Sequence, residues 1–243
     1  MLKASIITVC LNSARTIYDC IESVNMQTYK NLEHIFIDGN SVDETKNIIN
    51  KNSKKNFFIL SEDDKGIYEA MNKGVKIASG NFICFLNSDD FYCHKDVIEI
   101  ISKEFEENKL DLVYGNINYV NSKKRIIRTF KSPNKFKDVL KGFQIPHPAI
   151  FIKSSFLKSL DYPFEDQFKI ASDLGQQIFL AHKFNLSTIK INKSLVHMRT
   201  GGLSSKFRNR IIGWQETAKI YNKITKKKGF IFLLKKVFNN IFR

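Results

Sequence analysis

Apolar and polar positions along the first 120 residues switch between two periods, and that switching predicts a fold class. Residues 4–10 form a β-rich apolar run, Ile17, Ile21 and Val24 then recur at helical spacing, and residues 32–37 are apolar again. This is one βαβ unit. Ser41-Val42-Asp43-Glu44 has the spacing of a capping box and predicts a helix to about residue 50. Residues 57–60, 81–86 and 112–114 read as strands, residues 66–78 as a helix, and Val97, Ile100, Ile101 and Phe105 as one face of another. Strands separated by crossover helices predict an α/β fold with a mainly parallel sheet flanked by helices.

After residue 120 the rhythm changes. Residues 124–130 are β-like, 136–142 a short helix and 148–153 a strand. Leu174, Ile178 and Ala181 keep helical register within 171–184, residues 186–192 and 195–199 read as two strands, and 204–224 as a further helix. No internal repeat, low-complexity linker or domain boundary is visible before about residue 202.

Open sheets of this class bind ligands outside the carboxyl ends of their strands. Those ends are residues 10–12, 38–41, 61–65 and 87–90; all are polar and three carry carboxylates, as a binding site or a set of solvated turns would. Asn87-Ser88-Asp89-Asp90 places two carboxylates side by side, a donor set for a hard divalent cation such as Mg2+ or Mn2+. The alternative is that Asp89 or Asp90 caps the next helix, for which Asp96 is better placed.

Charge changes the picture more by where it sits than by its size. The net charge of +15 on 243 residues suggests nucleic acid or an anionic membrane as partner. Residues 1–202, however, hold 28 basic and 23 acidic side chains, whereas 203–243 hold 11 basic ones and a single acid, Glu216. The body is a mildly basic globule, and its 43% apolar content excludes a disordered chain. In the tail, Phe230, Ile231, Leu233, Leu234, Val237, Phe238, Ile241 and Phe242 fall on one side of a helix, and Lys228, Lys235, Lys236, Asn239, Asn240 and Arg243 on the other. Phe232 intrudes on the polar side. A basic amphipathic helix fits an anionic bilayer surface; docking on the body or on a second subunit is the alternative. Four cysteines without a CxxC pair or metal-ligand cadence, and no secretory leader, predict a cytoplasmic protein. No run approaches the roughly 20 apolar residues of a membrane span.

Thr8-Val9-Cys10-Leu11-Asn12, Ile37-Asp38-Gly39-Asn40-Ser41-Val42-Asp43-Glu44-Thr45, residues 61–80 and Phe85-Leu86-Asn87-Ser88-Asp89-Asp90 resemble, in order, the motifs of family 2 inverting glycosyltransferases. The resemblance covers about residues 1–205. It implies a GT-A, Rossmann-like fold with a nucleotide-sugar-binding half (1–120), an acceptor half (121–202) and a basic helical C-terminal extension (203–243). It further implies transfer of a sugar from a nucleotide diphosphate to an acceptor hydroxyl, with a Mn2+ or Mg2+ cofactor. By position, Thr8, Asn12, Asp38, Asp64, Lys65 and Asn72 match donor-nucleotide residues, with Asp38 at the base. Asp89 matches the last carboxylate of the DXD metal motif, with Asp90, Asn87 and His197 as further metal candidates. Asn87 departs from the motif, standing where its first aspartate often is, and brings no charge.

On the acceptor side, residues 164–174 resemble the segment whose aspartate opens a helix, which makes Asp173 the catalytic base; capping by Ser172 or Asp173 is compatible with that role. His147, between Pro146 and Pro148, is a candidate contact to donor diphosphate or acceptor, or is satisfied by backbone. Arg199 is expected to grip the diphosphate, and residues 201–204 read as a mobile loop. A saccharide or lipid-linked saccharide acceptor at the inner face of the cell membrane is the implied partner. The competing classes are a metal-dependent nucleotidyltransferase and a nucleic-acid-binding protein. The second is disfavoured by charge concentrated in the tail, a carboxylate-lined site and the lack of a visible nucleic-acid-binding module, so no nucleic-acid partner is expected.

Overall fold

The computed structural model describes residues 1–54, 56–161, 163–202 and 207–241, without the side chains of Asn240 and Ile241. In chain order the strands are β1 (Ala4–Cys10), β2 (Leu32–Asp38), β3 (Phe57–Ser61), β4 (Phe82–Phe85), β5 (Phe91–Tyr92), β6 (Leu112–Val120), β7 (Ile126–Phe130), β8 (Ile150–Lys153) and β9 (Thr188–Arg199). The helices are α1 (Ile17–Asn25), α2 (Thr45–Asn52), α3 (Ile67–Ile77), α4 (Val97–Glu107), α5 (Ser154–Lys158), α6 (Ser172–Lys183), α7 (Phe207–Thr225) and α8 (Gly229–Ile241). A 3-10 turn spans Phe136–Lys141.

The described strands form one sheet in the order β3-β2-β1-β4-β8-β6-β9-β5, with β7 paired to β6. Its first four strands are parallel, as the βαβ rhythm requires. Alternate side chains of each buried strand feed opposite layers. Ile7, Ile37 and Phe85 pack under α3 and α6, while Ile6, Phe82 and Cys84 pack under α1 and α4. Gly74 lets α3 lie against β1, since a Cβ there would stand 2.5 Å from a methyl of Ile7.

Three sequence expectations change. The strand at 112–114 does not extend the parallel run: β8 lies between β4 and β6, antiparallel to both. Periodicity reports burial and not direction. The two strands expected at 186–192 and 195–199 are one, β9, parallel to β6, with register shifts between Tyr114 and Ile117 that absorb the polar residues between them. The capping box does not form. Ser41 Oγ turns to Asp38 and the amide of Asn12, and Asp43 instead receives the amide of Thr45 at 3.0 Å. Asp96 stands at the start of α4 without a side-chain cap bond.

The C-terminal helices pack on α6 and on the 3-10 turn. α7 buries Thr217, Ile220 and Tyr221, and Glu216 accepts the backbone N–H groups of Lys169, Ile170 and Ala171 at 2.9, 2.8 and 3.0 Å. The lone acid of the basic tail therefore fixes the loop leading into α6. α8 docks by the residue that broke its pattern. Phe232, 1% exposed, joins Leu174, Ile178 and Tyr221, with its ring stacked on Tyr221 at 4.0 Å. The predicted apolar face points outward, with Phe230 66% and Leu234 54% exposed. Phe242 and Arg243, the side chains of Asn240 and Ile241, and residues 203–206, where the expected loop ends and the expected 204–224 helix begins, lie outside the described residues.

Replacing Glu216 by Ala strands three N–H groups at the entry to α6. We expect a loss of about 2 kcal/mol of unfolding free energy, read as a lower denaturant midpoint at unchanged slope.

Candidate functional site

The strand-end loops meet through side-chain bonds between neighbouring loops. Asn12, with a left-handed backbone (φ 49°), receives the amide of Val42 on Oδ1 at 3.0 Å and gives its own amide to Ser41 Oγ at 2.8 Å. This ties the ends of β1 and β2 together and leaves Asn12 exposed at the mouth of the cleft. Asp38 lies beneath it, wholly buried. Its carboxylate accepts the hydroxyl and amide of Ser41 and the hydroxyl of Ser61, the last at 2.7 Å. A contact to a nucleotide base would require exchange of one of these bonds, so Asp38 is a floor residue.

Thr8 corrects the sequence reading outright. It is fully buried, and its hydroxyl meets His34 Nε2 at 2.9 Å and Cys20 Sγ at 3.5 Å, away from the cleft. Asn72 is a second correction. Its amide clamps Phe164, giving Nδ2 to the carbonyl at 2.8 Å and receiving the N–H on Oδ1 at 3.0 Å. That places the amide between the halves of the molecule, not toward a donor. Asp64 is held over Gly39 by Lys73 at 2.5 Å, and Lys73 also pairs with Glu62 at 2.8 Å. Burial raises the Asp64 carboxyl above its ordinary range, against the pull of Lys73. Lys65 is exposed beside it, its amide bonded to Glu69 at 2.6 Å.

At the end of β4 the two carboxylates divide. Asp90 is buried, accepting Asn87 Nδ2 at 2.9 Å and the Arg199 amide at 3.2 Å. Burial and the neighbouring Asp89 charge push its carboxyl well above the usual range. Asn87, through Nδ2, and Asp90 are thus engaged with each other and with β9. Asp89 is half-buried, its carboxylate beside Gly202, and burial raises it as well. His197 is directly paired with Phe91 in the sheet and packs on that ring at 5.0 Å. Among the described residues no three His, Cys, Asp or Glu side chains gather around a common point.

Arg199 is also spent within the protein. Its guanidinium donates to the Asp89 carbonyl at 2.7 Å and to the Asp19 carboxylate, and lies over Phe91 at 5.1 Å. These contacts tie the loop after β4 to Asp19 on the polar face of α1. Lys124 holds the other oxygen of Asp19 at 2.6 Å. Although burial opposes it, hydrogen bonding by Lys124 and Arg199 keeps the Asp19 carboxyl below its ordinary range.

Asp173 stands half-buried in the first turn of α6. Its Oδ1 accepts the Leu174 amide at 2.8 Å and the Tyr68 hydroxyl at 3.3 Å. Burial, then the Asp173 charge, raises the Tyr68 phenol well above its usual range, so it stays a donor. His147 lies below, stacked on Phe85 at 4.9 Å and edge-on to Phe164 at 5.4 Å. Burial holds its imidazole below the usual range while Asp173 pulls the other way. His147 supports the floor and is too buried to present itself to a ligand.

Asp19, Tyr68, Lys73 and Glu216 were not singled out as site residues by sequence reasoning. Lys73 has a signal, four residues after Glu69 and close to the acids at 62–64; Glu216 has one in its isolation. Asp19 and Tyr68 have none, since their partners stand 180 and 105 residues away.

The sequence of residues 5–161 matches the family model described as Glycosyl transferase family 2. An Escherichia coli protein named UDP-Glc:alpha-D-GlcNAc-diphosphoundecaprenol beta-1,3-glucosyltransferase WfaP is 32% identical over 170 residues, covering 69% of this chain and 67% of its own. A PGL/p-HBAD biosynthesis glycosyltransferase of Mycobacterium tuberculosis is 36% identical over 117 residues, 46% of each chain, so the match spans about half the length of that relative. In structure the chain resembles S. aureus TarS 1-349 in complex with UDP-GlcNAc, with a TM-score of 0.75 at 20% identity over 90% of this chain and 65% of that one. It also resembles the mannosyltransferase PcManGT from Pyrobaculum calidifontis in complex with GDP-Man and Mn2+, with a TM-score of 0.70 at 14% identity over 97% and 69%. These likenesses identify the fold as GT-A. From the ordered strand-end motifs and the family match together, the chain belongs to glycosyl transferase family 2.

Proposed function

We propose that the protein is an inverting glycosyltransferase, moving a sugar from a nucleotide diphosphate to a hydroxyl of a saccharide acceptor during surface-polysaccharide assembly. The observation that carries this reading is Asp173. A carboxylate in the first turn of a helix is stabilised as the anion by the aligned peptide dipoles, and Tyr68, from the donor half, reaches it across the cleft. Residues 1–202 then act as the catalytic domain and 203–243 as its helical extension. In the reaction Asp173 takes the proton of the acceptor hydroxyl as its oxygen bonds to the anomeric carbon. The bond to the diphosphate breaks on the opposite face, and its electron pair leaves with the nucleotide.

The donor set fits a divalent cation shared with substrate. Asp89 offers one half-buried carboxylate whose oxygens take no side-chain donor among the described residues, burial outweighing the pull of the Arg199 charge on it, and Mg2+ or Mn2+ commonly takes the rest of its shell from phosphate and water. Such a cation would supply charge to the leaving diphosphate. Asn12, Asp64 and Lys65 line the mouth of the cleft on the nucleotide side. The name of the E. coli relative, with its diphosphoundecaprenol, supports a lipid-linked acceptor.

A lipid-linked acceptor fits the orientation of α8, which supports binding to an anionic bilayer. Phe230, Ile231, Leu234 and Val237 face outward beside exposed Lys235, in a basic extension. Among the described residues no helix is long and apolar enough to cross a membrane, so the attachment would be peripheral, on the inner face where nucleotide sugars are held.

Asp173→Asn is expected to lower turnover about a thousandfold while donor affinity, read by titration with UDP-, GDP- and dTDP-sugars, changes little; near-normal turnover would overturn the assignment. Excess EDTA should abolish release of the nucleotide diphosphate, and a full rate would exclude the cation. With vesicles containing anionic lipid, the Phe230→Asp/Leu234→Asp protein should partition at least about tenfold more weakly than wild type. Equal partition would remove α8 as the anchor.

A further inference from the structure

Phe207, Ile211, Trp214, Ala218, Tyr221 and Thr225 recur at alternating spacings of four and three residues, so at about 100° per residue they form one strip along α7. α8 covers the second half of that strip. Phe232 stacks on Tyr221, and Gly229 comes so close to the Ala218 carbonyl that a Cβ would collide with it. The first half is open, with Phe207 78%, Ile211 39% and Trp214 41% exposed. On α8, Phe230 and Leu234 lie on the side opposite Gly229 and Phe232 and are exposed, so both apolar strips look away from α7 in the same direction. Exposed Arg208 and Arg210 flank the open half, the Arg210 guanidinium standing 5.8 Å from the centre of the Trp214 ring.

We propose that Phe207, Ile211 and Trp214 form a second bilayer contact, entering the headgroup boundary of an anionic membrane beside α8. The proposal rests on the reading of α8 as a peripheral attachment to such a bilayer. Charge selects this occupant over a second copy of the chain. Residues 203–243 hold 11 basic side chains and one acid, and that acid, Glu216, is bound to the backbone of residues 169–171. Two copies laid strip to strip would set arginine against arginine with no acid of the extension to answer them. Aromatic rings with cations beside them suit the lipid boundary, where the ring sits among headgroups and the guanidinium meets phosphate. One helix attaches a protein to a surface; two fix its orientation. The same turns of α7 grip the entry to α6 from the other side, through Glu216 and through Gly213, where a Cβ would stand 3.0 Å from a methyl of Ile170. The contact therefore sets the segment before Asp173 at a fixed height over the lipid.

Trp214 is the one tryptophan of the chain, so its emission reports this contact alone. On vesicles of phosphatidylglycerol and phosphatidylcholine the full-length protein should emit further to the blue. Lipids brominated in their acyl chains should quench it, because bromine acts only on an indole in its immediate neighbourhood. The Phe207→Asp/Ile211→Asp protein should partition at least about tenfold more weakly than wild type, with nucleotide-sugar affinity and thermal midpoint unchanged. Wild-type quenching decides the matter even if that variant does not fold. Protein that sediments with the anionic vesicles while its emission stays unquenched overturns the proposal and leaves α8 as the anchor; protein that does not sediment at all overturns both. Equal quenching by phosphatidylcholine alone, or an emission that shifts with protein concentration in the absence of lipid, overturns it as well, the latter by assigning the strip to a second copy.

Discussion

The structure depends on one guanidinium. Arg199 ends the last strand of the sheet, yet its contacts are with α1 and with the loop after β4, elements from the first hundred residues. Both Arg199 and Asp19 are largely withdrawn from water, which is costly unless every polar atom finds a partner. Here Asp19 has Lys124 for its second oxygen, and Arg199 has a carbonyl and an aromatic face besides. Without that bridge, the buried Asp90 would face the Asp89 charge with Asn87 as its side-chain donor. The acidic loop exists in its present form because the late strand returns to hold it.

The same economy separates two kinds of carboxylate. Asp38 and Asp90 are sealed under the cleft, their oxygens taken by hydroxyls and amides that define loop shape. Asp89 and Asp173 stand half-exposed above them. Both pairs fall at the ends of regular elements, so residue type alone does not distinguish a clamp from a reactive group. What distinguishes them is how many of the oxygens are already in use.

That distinction marks how far the chain could be read in advance. Strands and helices were legible because burial repeats every two or 3.6 residues. The direction of β8, the continuity of β9 and the failure of the capping box were not, since each turns on a long-range partner. The approximate site was legible for the same reason as the strands: motifs at strand ends are carried wherever the strands go. Side-chain direction was not. Asn72 answers to a backbone 92 residues away and Thr8 to a histidine on the neighbouring strand. The tail is instructive in reverse. Periodicity sorted its residues onto two faces, but the side that packs inward is the one with fewer apolar groups, because a single Phe232 inserted between α6 and α7 is enough to orient it.

Glu216 carries a last consequence, one of time. The loop that sets Asp173 on α6 is held by a carboxylate 43 residues further along the chain than Asp173 itself. During synthesis the parallel strands and their cleft can assemble while that carboxylate is still inside the ribosome, since domains fold from the amino end as they emerge. A nascent chain with only its first two hundred residues exposed would therefore hold a shaped donor cleft opposite an acceptor side whose helix entry is still unfastened.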